Sequence, residues 1–422
     1  MTDVTVRTMQ SLNDLPDFFE MMTAKGLSAF TPEFTELFDT DHRFMRAGEQ
    51  QMLVFRNQDL RTLAANPLCG NMPLPAMINR GYKGDESDPI GEGDRNNVVR
   101  MLSNQLFTTN PPVHGPVRQV YVKPFGPKMM ANFSPIADRI VAGLIEEFAG
   151  KGEIDFSFAF AERLTARFWG ELLGMDDEEK ERIAHIVRAM LPWFMSFRKR
   201  PEVRQLNEAT ADYYELMLEV LRRARANGNE LIGAMADQFD AIDVPGKPES
   251  FELSMASNWI DGFHTGALAA TGSLYYLLAN PEAHAAVRDD RELVPLAAVE
   301  GLRMSAPVIL TPRYALEAFD YGGVHIPQGT SILMIWAAGN RDPAAYPDPN
   351  SYQLDRAQRA DTAVGGGVHM CVGRYLSRML AVATIKGVTA PGVSIRMTGE
   401  VKWIPQSAVW QPERFPVAIE KI

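Results

Sequence analysis

The chain has 422 residues, of which 46% are hydrophobic, enough for a sizeable buried core. A formal net charge of −11 excludes a nucleic-acid binder that relies on phosphate contacts. With only two cysteines, Cys69 and Cys371, a disulfide framework is excluded and a reducing compartment is implied.

No Gly/Ser- or Pro-rich linker, repeat or low-complexity tract divides the chain, so one domain spanning residues 1–422 is expected. The N-terminal stretch MTDVTVRTMQSLNDLPDFF has neither the basic-then-apolar order of a leader nor a membrane-spanning run. Leu12, Leu15, Phe18, Phe19 and Met22 recur at helical spacing over 11–25. Residues 43–55 read as two short strands around a turn at Gly48, followed by a helix over 57–65. Residues 66–94 are rich in Pro, Gly and Asn and read as a long irregular segment, of the kind that usually carries function.

In NPPVHGPVR, His114 and Arg118 are four apart and share a face if a helix starts there; such a pair also suits a solvated face. Segments 134–148, 157–173 and 177–189 carry helical periodicity. The aromatic stretch 191–197, interrupted by Pro192, reads equally as core or as the wall of a pocket. A long helix is expected from Ser250, a good N-cap, to Asn280-Pro281, a good terminator. At 1.5 Å per residue it would run roughly 45 Å, enough to cross a domain. Glu300 and Arg303 are three apart and can pair, as many surface residues do. Residues 308–342 turn strand-like, with turn signals at Gly322-Gly323 and Gln328-Gly329.

Near the end, VGGGVHMCVGRYL sets Cys371 behind Gly365, Gly366 and Gly367, ahead of a helical run with Leu376, Met379, Leu380 and Val382 apolar. The glycines let backbone take positive φ and approach a flat partner closely. A cysteine beside a helix N-terminus favours a thiolate, which suits a soft metal and above all haem iron. A buried structural cysteine beside a glycine turn is the plainer alternative.

This segment resembles the cysteine-ligand loop of the cytochrome P450 haem-thiolate monooxygenases, Phe-Gly-x-Gly-x-His-x-Cys-x-Gly. Gly365, Gly367, His369, Cys371 and Gly373 fall in place, and Val364 replaces the opening Phe. The resemblance implies a mainly helical fold with a smaller β-rich part, from about 40–56, 308–335 and 395–419. Haem b (iron protoporphyrin IX) would lie between the long central helix and the loop, with Cys371 as the metal ligand. No C-x-x-C-H occurs, so covalent attachment is not expected. The His-x-x-x-Arg element, His114 and Arg118, would bind a haem propionate, as would Arg313, with His369 from the loop itself.

In the family the central helix reads Gly-x-(Asp/Glu)-Thr. Gly262 and Thr265 match, and His264 replaces the acid. Thr265 would bond a carbonyl one turn back and open a groove beside Gly262 for dioxygen. His264 could relay protons or merely bond a neighbouring helix; Asp261 offers a second route, or a partner for a polar or cationic group of the substrate. Glu300, Arg303 and Arg356 would form a structural clamp. Pocket candidates are Met190, Phe194, Met195, Ser257, Ile260, Val308, Ile309, Leu310 and Val409, the last in a hairpin tip at Gln406 to Trp410. Cys69, Met72, Leu74 and Met77 are further apolar contacts expected over the pocket.

The resemblance implies a soluble, cytoplasmic monomeric enzyme of bacterial type that oxidises a mainly apolar small molecule with dioxygen. Electrons would come from a ferredoxin or flavodoxin with its reductase, steered by Arg118, Lys123, Lys128 and Arg374. The alternative is a peroxide-using or non-oxygenating haem-thiolate enzyme. Neither nucleic acid nor membrane is an expected partner.

Overall fold

A computed structural model of the protein describes residues 9–24, 35–84, 86–194, 199–356, 362–404 and 408–422. Met195 and Gln406, named above, lie outside them. The chain is 56% helical with small sheets set to one side.

The central helix, Phe251–Leu278, starts where Ser250 accepts the Leu253 N–H at 3.1 Å and stops just before the next helix begins at Pro281. Most of its residues are buried, as a helix surrounded by others requires. It packs against Val294–Ser305 with almost no side chain between the backbones. A Cβ on Gly301 would stand 2.6 Å from the Ser273 Cα, and one on Gly272 would meet Ser305. Arg374–Val388 lies on the same helix, with Leu380 against Gly266. These three packed helices fix the positions of the residues described below.

The largest sheet has five strands in the order Phe44–Arg46, Gln51–Val54, Ser331–Ile335, Leu310–Ala315, Cys69–Gly70. Gln51–Val54 pairs in parallel with Ser331–Ile335; its other ladders are antiparallel. Thus the two segments read as β-rich, about 40–56 and 308–335, share one sheet. The C-terminal part, Val393–Met397 and Pro416–Lys421, pairs separately with Glu153–Asp155.

Several expectations need correction. Residues 66–94 are not wholly irregular: Cys69–Gly70 joins the sheet edge and Leu74–Gly81 is helical, entered through Pro73. The strand-like run ends at Ile335, and Trp336–Gly339 is a helical turn. Helix 134–148 begins earlier, at Pro127, and carries Pro135 in its first turns. The N-terminal helix shrinks to Phe18–Ala24 because Pro16 separates it from the turn at Leu12–Asp14.

Glu300, Arg303 and Arg356 meet in the interior. Arg303 forks onto Glu300 at 2.9 and 2.7 Å, and Arg356 Nε reaches Glu300 Oε1 at 3.0 Å. The remaining guanidinium hydrogens go to carbonyls of Asn340, Pro347, Pro349 and Ser351, tying the helix to the segment that leads into the cysteine loop. Burial opposes ionisation of Glu300, but the Arg303 bonds and charge outweigh it and hold the carboxyl below the ordinary glutamate range. A depressed carboxylate stabilises above its unfolded pKa and loses that contribution as pH falls through the folded one. Glu300→Gln should therefore cost about 3–5 kcal/mol at neutral pH, by stranding two buried cations, and should flatten the acid limb of stability against pH. Urea unfolding across pH checks both.

Candidate active site

Between the central helix and the loop around Cys371 lies a cavity of about 280 Å³. The loop forms one wall. Gly365 and Gly367 have φ of +72° and +62°, and a Cβ on Gly367 would collide with the Ala64 carbonyl. The glycines thus seat the loop against the helix Asn57–Ala64. The Cys371 N–H donates to the Val364 carbonyl at 2.9 Å, and the Gly373 N–H donates to the sulfur. The cysteine side chain is open toward the cavity.

The thiolate expected from the sequence is not favoured by the protein alone. Burial pushes the Cys371 thiol up, and the Gly373 N–H, Arg118 and Arg374 offset this only in part. The helix begins at Arg374, three residues on, and its N-cap, Gly373, supplies the N–H that reaches the sulfur. Cys69 is inert by comparison: it is buried in the sheet, away from the cavity, with its thiol pushed up to about 12 by burial.

A cluster of donors lines the same cavity. His369 Nδ1 stands 3.0 Å from His114 Nε2, and the Asn71 amide reaches the same ring nitrogen at 3.3 Å. Arg118 donates to the Met370 carbonyl. Arg313 is buried; one terminal nitrogen touches only the Pro312 carbonyl at 3.3 Å, and Nε has no partner among the described residues. Burial, then the two arginines, bring His114 down to about 4; burial, then Arg313, His114 and Arg118, bring His369 to about 3. Burial also lowers Arg313 to about 10. No carboxylate pairs with Arg118 or Arg313 among the described residues. One buried cation, Arg313, one half-buried cation, Arg118, and two neutral imidazoles make a site for an anion with several acceptor oxygens. A thiol on one wall and an anion site beside it fit a haem, which Cys371 would hold at its iron and His114, Arg118, Arg313 and His369 would hold at its carboxylates.

The central helix forms the facing wall through Asn258, Asp261, Gly262 and Thr265, spaced i, i+3, i+4 and i+7. Thr265 Oγ1 donates to the Asp261 carbonyl at 2.5 Å, leaving its lone pairs free. Asp261 and the Cys371 sulfur influence one another electrostatically. Burial raises the Asp261 carboxyl to about 7 against a bond from the Trp193 indole.

His264 does not line this cavity. It is about 100° round the helix from Thr265. Its Nε2 faces Gln411 Oε1 at 3.0 Å, its ring stacks on Phe194 at 4.7 Å, and burial holds it neutral, at about 4. The relay role expected for His264 is therefore withdrawn. Ser257 and Ile260 share that face, seven and four residues before His264. Ser257 bonds Tyr214, while Ile260 is core. Phe194, the His264 partner, stays with them rather than with the cavity.

Of the other pocket candidates only Val308 lines the cavity. Met190, Ile309, Leu310 and Val409 are buried elsewhere, Val409 bridging back to Val308. Met72 is core, and Leu74 and Met77 pack against the main core. The lining instead includes Asn71, Leu106, Phe107, Trp259 and Thr311. Asn258 could have been found by stepping back seven residues from Thr265; residues such as Asn71 and Phe107, supplied by loops, leave no periodic signal.

The sequence model of the Cytochrome P450 family matches residues 98–385. The chain is 28% identical over 366 residues to 6-deoxyerythronolide B hydroxylase of Saccharopolyspora erythraea, covering 84% of this chain and 88% of that one. It is 26% identical over 380 residues to the mycinamicin IV hydroxylase/epoxidase of Micromonospora griseorubida, covering 88% and 90%. In fold it is similar to CalO2, with a TM-score of 0.79, 20% identity and coverage of 92% and 96%. P450BioI, solved in complex with an acyl-carrier protein, gives a TM-score of 0.77 at 20% identity, covering 91% and 97%.

If the donor cluster holds an anionic group, removing its most deeply buried charge has opposite effects on the two forms of the protein. Arg313→Gln should weaken haem retention about ten- to a hundredfold, measured by haem transfer to apomyoglobin. The haem-free variant should be at least as stable as the haem-free parent, because an uncompensated buried cation has gone.

Proposed function

Because this chain belongs to the cytochrome P450 family and is one of its monooxygenases, we propose that it hydroxylates a small, mainly apolar organic molecule, with haem b on Cys371 and electrons from separate protein partners. The observation that carries this reading is the facing pair across one cavity: Cys371, with the Gly373 N–H on its sulfur, and Thr265, with its hydroxyl turned onto the Asp261 carbonyl. Relatives named as hydroxylases support the reaction type.

When bound, a thiolate-held haem iron supplies dioxygen activation, and the thiolate favours O–O cleavage. The chain's own residues do the rest. Arg118, Arg313, His114 and His369 orient the group through its carboxylates. Leu106, Phe107, Trp259 and Val308 exclude water and offer apolar contact to the substrate. Thr265 Oγ1, already donating to the Asp261 carbonyl, accepts a hydrogen bond on the cavity side and holds a proton where oxygen chemistry consumes it.

No helix among the described residues is long and apolar enough to cross a membrane. Lys123 and Lys128 are exposed, as are Val122 and, in the cysteine loop, Val368. Arg374 donates to the Cys371 carbonyl at 3.1 Å, so an acidic ferredoxin or flavodoxin docked there would sit one residue from the ligand. Arg118 does not belong to that outer patch, since its guanidinium lines the cavity.

The two adjacent helix residues should behave differently. Thr265→Ala should keep substrate affinity but divert electrons, lowering product formed per NADH by roughly tenfold or more, with hydrogen peroxide in its place. His264→Ala should leave that ratio unchanged while lowering stability by about 1–3 kcal/mol through loss of the Gln411 contact. Peroxide and product assays beside urea unfolding separate these outcomes. Full turnover of Thr265→Ala would favour the peroxide-using reading instead.

A further inference from the structure

The cavity presents one carboxyl group among its described lining residues, that of Asp261. No Lys, Arg or His pairs with it among the described residues. Its partners are neutral: the Trp193 indole and Gln105 Nε2, the latter at a long 3.3 Å from Oδ2. The same Gln105 nitrogen is better engaged with the Ser257 carbonyl at 2.7 Å, and Gln105 Oε1 is buried without a partner among the described residues. Asp261 therefore sits on the substrate side of the cavity with much of its acceptor capacity unused.

A half-buried carboxylate facing an apolar cavity without a cation is unfavourable, and helix position alone does not account for one here. Any residue could supply the backbone carbonyl that Thr265 bonds, so the Asp261 side chain is not needed for that contact. Its surroundings are aromatic. Trp193 packs edge-on against Phe107, their centroids 6.4 Å apart, and Phe107 and Trp259 line the cavity. A carboxylate framed by aromatic rings matches the requirements of an alkylated ammonium group, which gains from both. The cavity's cations, Arg118 and Arg313, act on His114 and His369, and neither is among the groups that act on Asp261. The chain's net charge of −11 further favours the approach of a cation.

We infer that Asp261 is a specificity-determining residue and that the substrate carries a cationic nitrogen, which Asp261 pairs with beside Thr265. This rests on the reading of the cavity as the substrate site of a haem-thiolate enzyme. A merely hydroxylated substrate would bond the carboxyl without answering its charge.

The test uses the haem-loaded enzyme and two probes of equal shape, phenyltrimethylammonium and tert-butylbenzene. Neither has a lone pair to ligate iron, so binding reports on the pocket, by equilibrium dialysis and the Soret shift. The parent should prefer the cation by about tenfold or more, and Asp261→Asn should abolish the preference chiefly by weakening cation binding. Asp261→Glu, which keeps the charge, should retain part of it. The inference is overturned if the parent binds the neutral probe as tightly as the cation, if it fails to bind the cation, or if Asp261→Asn keeps the preference. The reduced carbon-monoxide spectrum of each protein separates the two levels. A thiolate-type spectrum with no cation preference defeats this inference alone, whereas its loss in the parent defeats the haem-thiolate reading beneath it.

Discussion

A charge taken out of water must be answered by an opposite one, and the cavity of this protein contains charges and donors that the polypeptide leaves unanswered. Arg313 and Arg118 converge with two neutral histidines on no carboxylate, and the Cys371 thiol is raised by burial despite the Gly373 N–H on its sulfur. On the opposite wall Asp261 is half-buried, facing the cavity with neutral partners. These are complementary demands: two anionic groups at the rim, a metal at the sulfur and a cation above it. A haem would answer the first two, and under the inference drawn above the substrate would answer the third.

The scaffold holds these groups through contacts that tolerate little change. Gly301 and Gly272 bring two helices to backbone contact, and Gly367 lets the cysteine loop rest on the Ala64 carbonyl. The Glu300, Arg303 and Arg356 cluster joins the first of these to the second, because its carbonyl acceptors lie in the segment entering the loop. The ion cluster therefore serves the site at a distance. It anchors the segment ahead of the loop, and the glycines seat the start of the loop itself.

Much of this was legible in the sequence where the chemistry is local. The glycine-flanked Cys371, the His114 and Arg118 spacing, the Ser250 cap and the Pro281 stop each depend on neighbouring residues, and each falls where its neighbours put it. The clamp was legible through its three partners, although their burial was not. The substrate wall was harder. Ser257 and Ile260, expected in the pocket, and His264, which stands where the family has its acid, occupy another helical face than Thr265, and the 3.6-residue period separates them. Asn71, Leu106, Phe107 and Thr311 reach the cavity from loops and a sheet strand, where only tertiary packing decides which residue points inward. The charged helix Arg200–Ala226 also went unread.

The account stands on Cys371 as the ligand of a haem held in this cavity, and the reduced carbon-monoxide spectrum tests that most directly. The parent and Cys69→Ser should both show the red-shifted Soret band of a thiolate ligand, and Cys371→His should bind haem more weakly without it. A red-shifted band that persists in Cys371→His, or disappears in Cys69→Ser, would contradict the account.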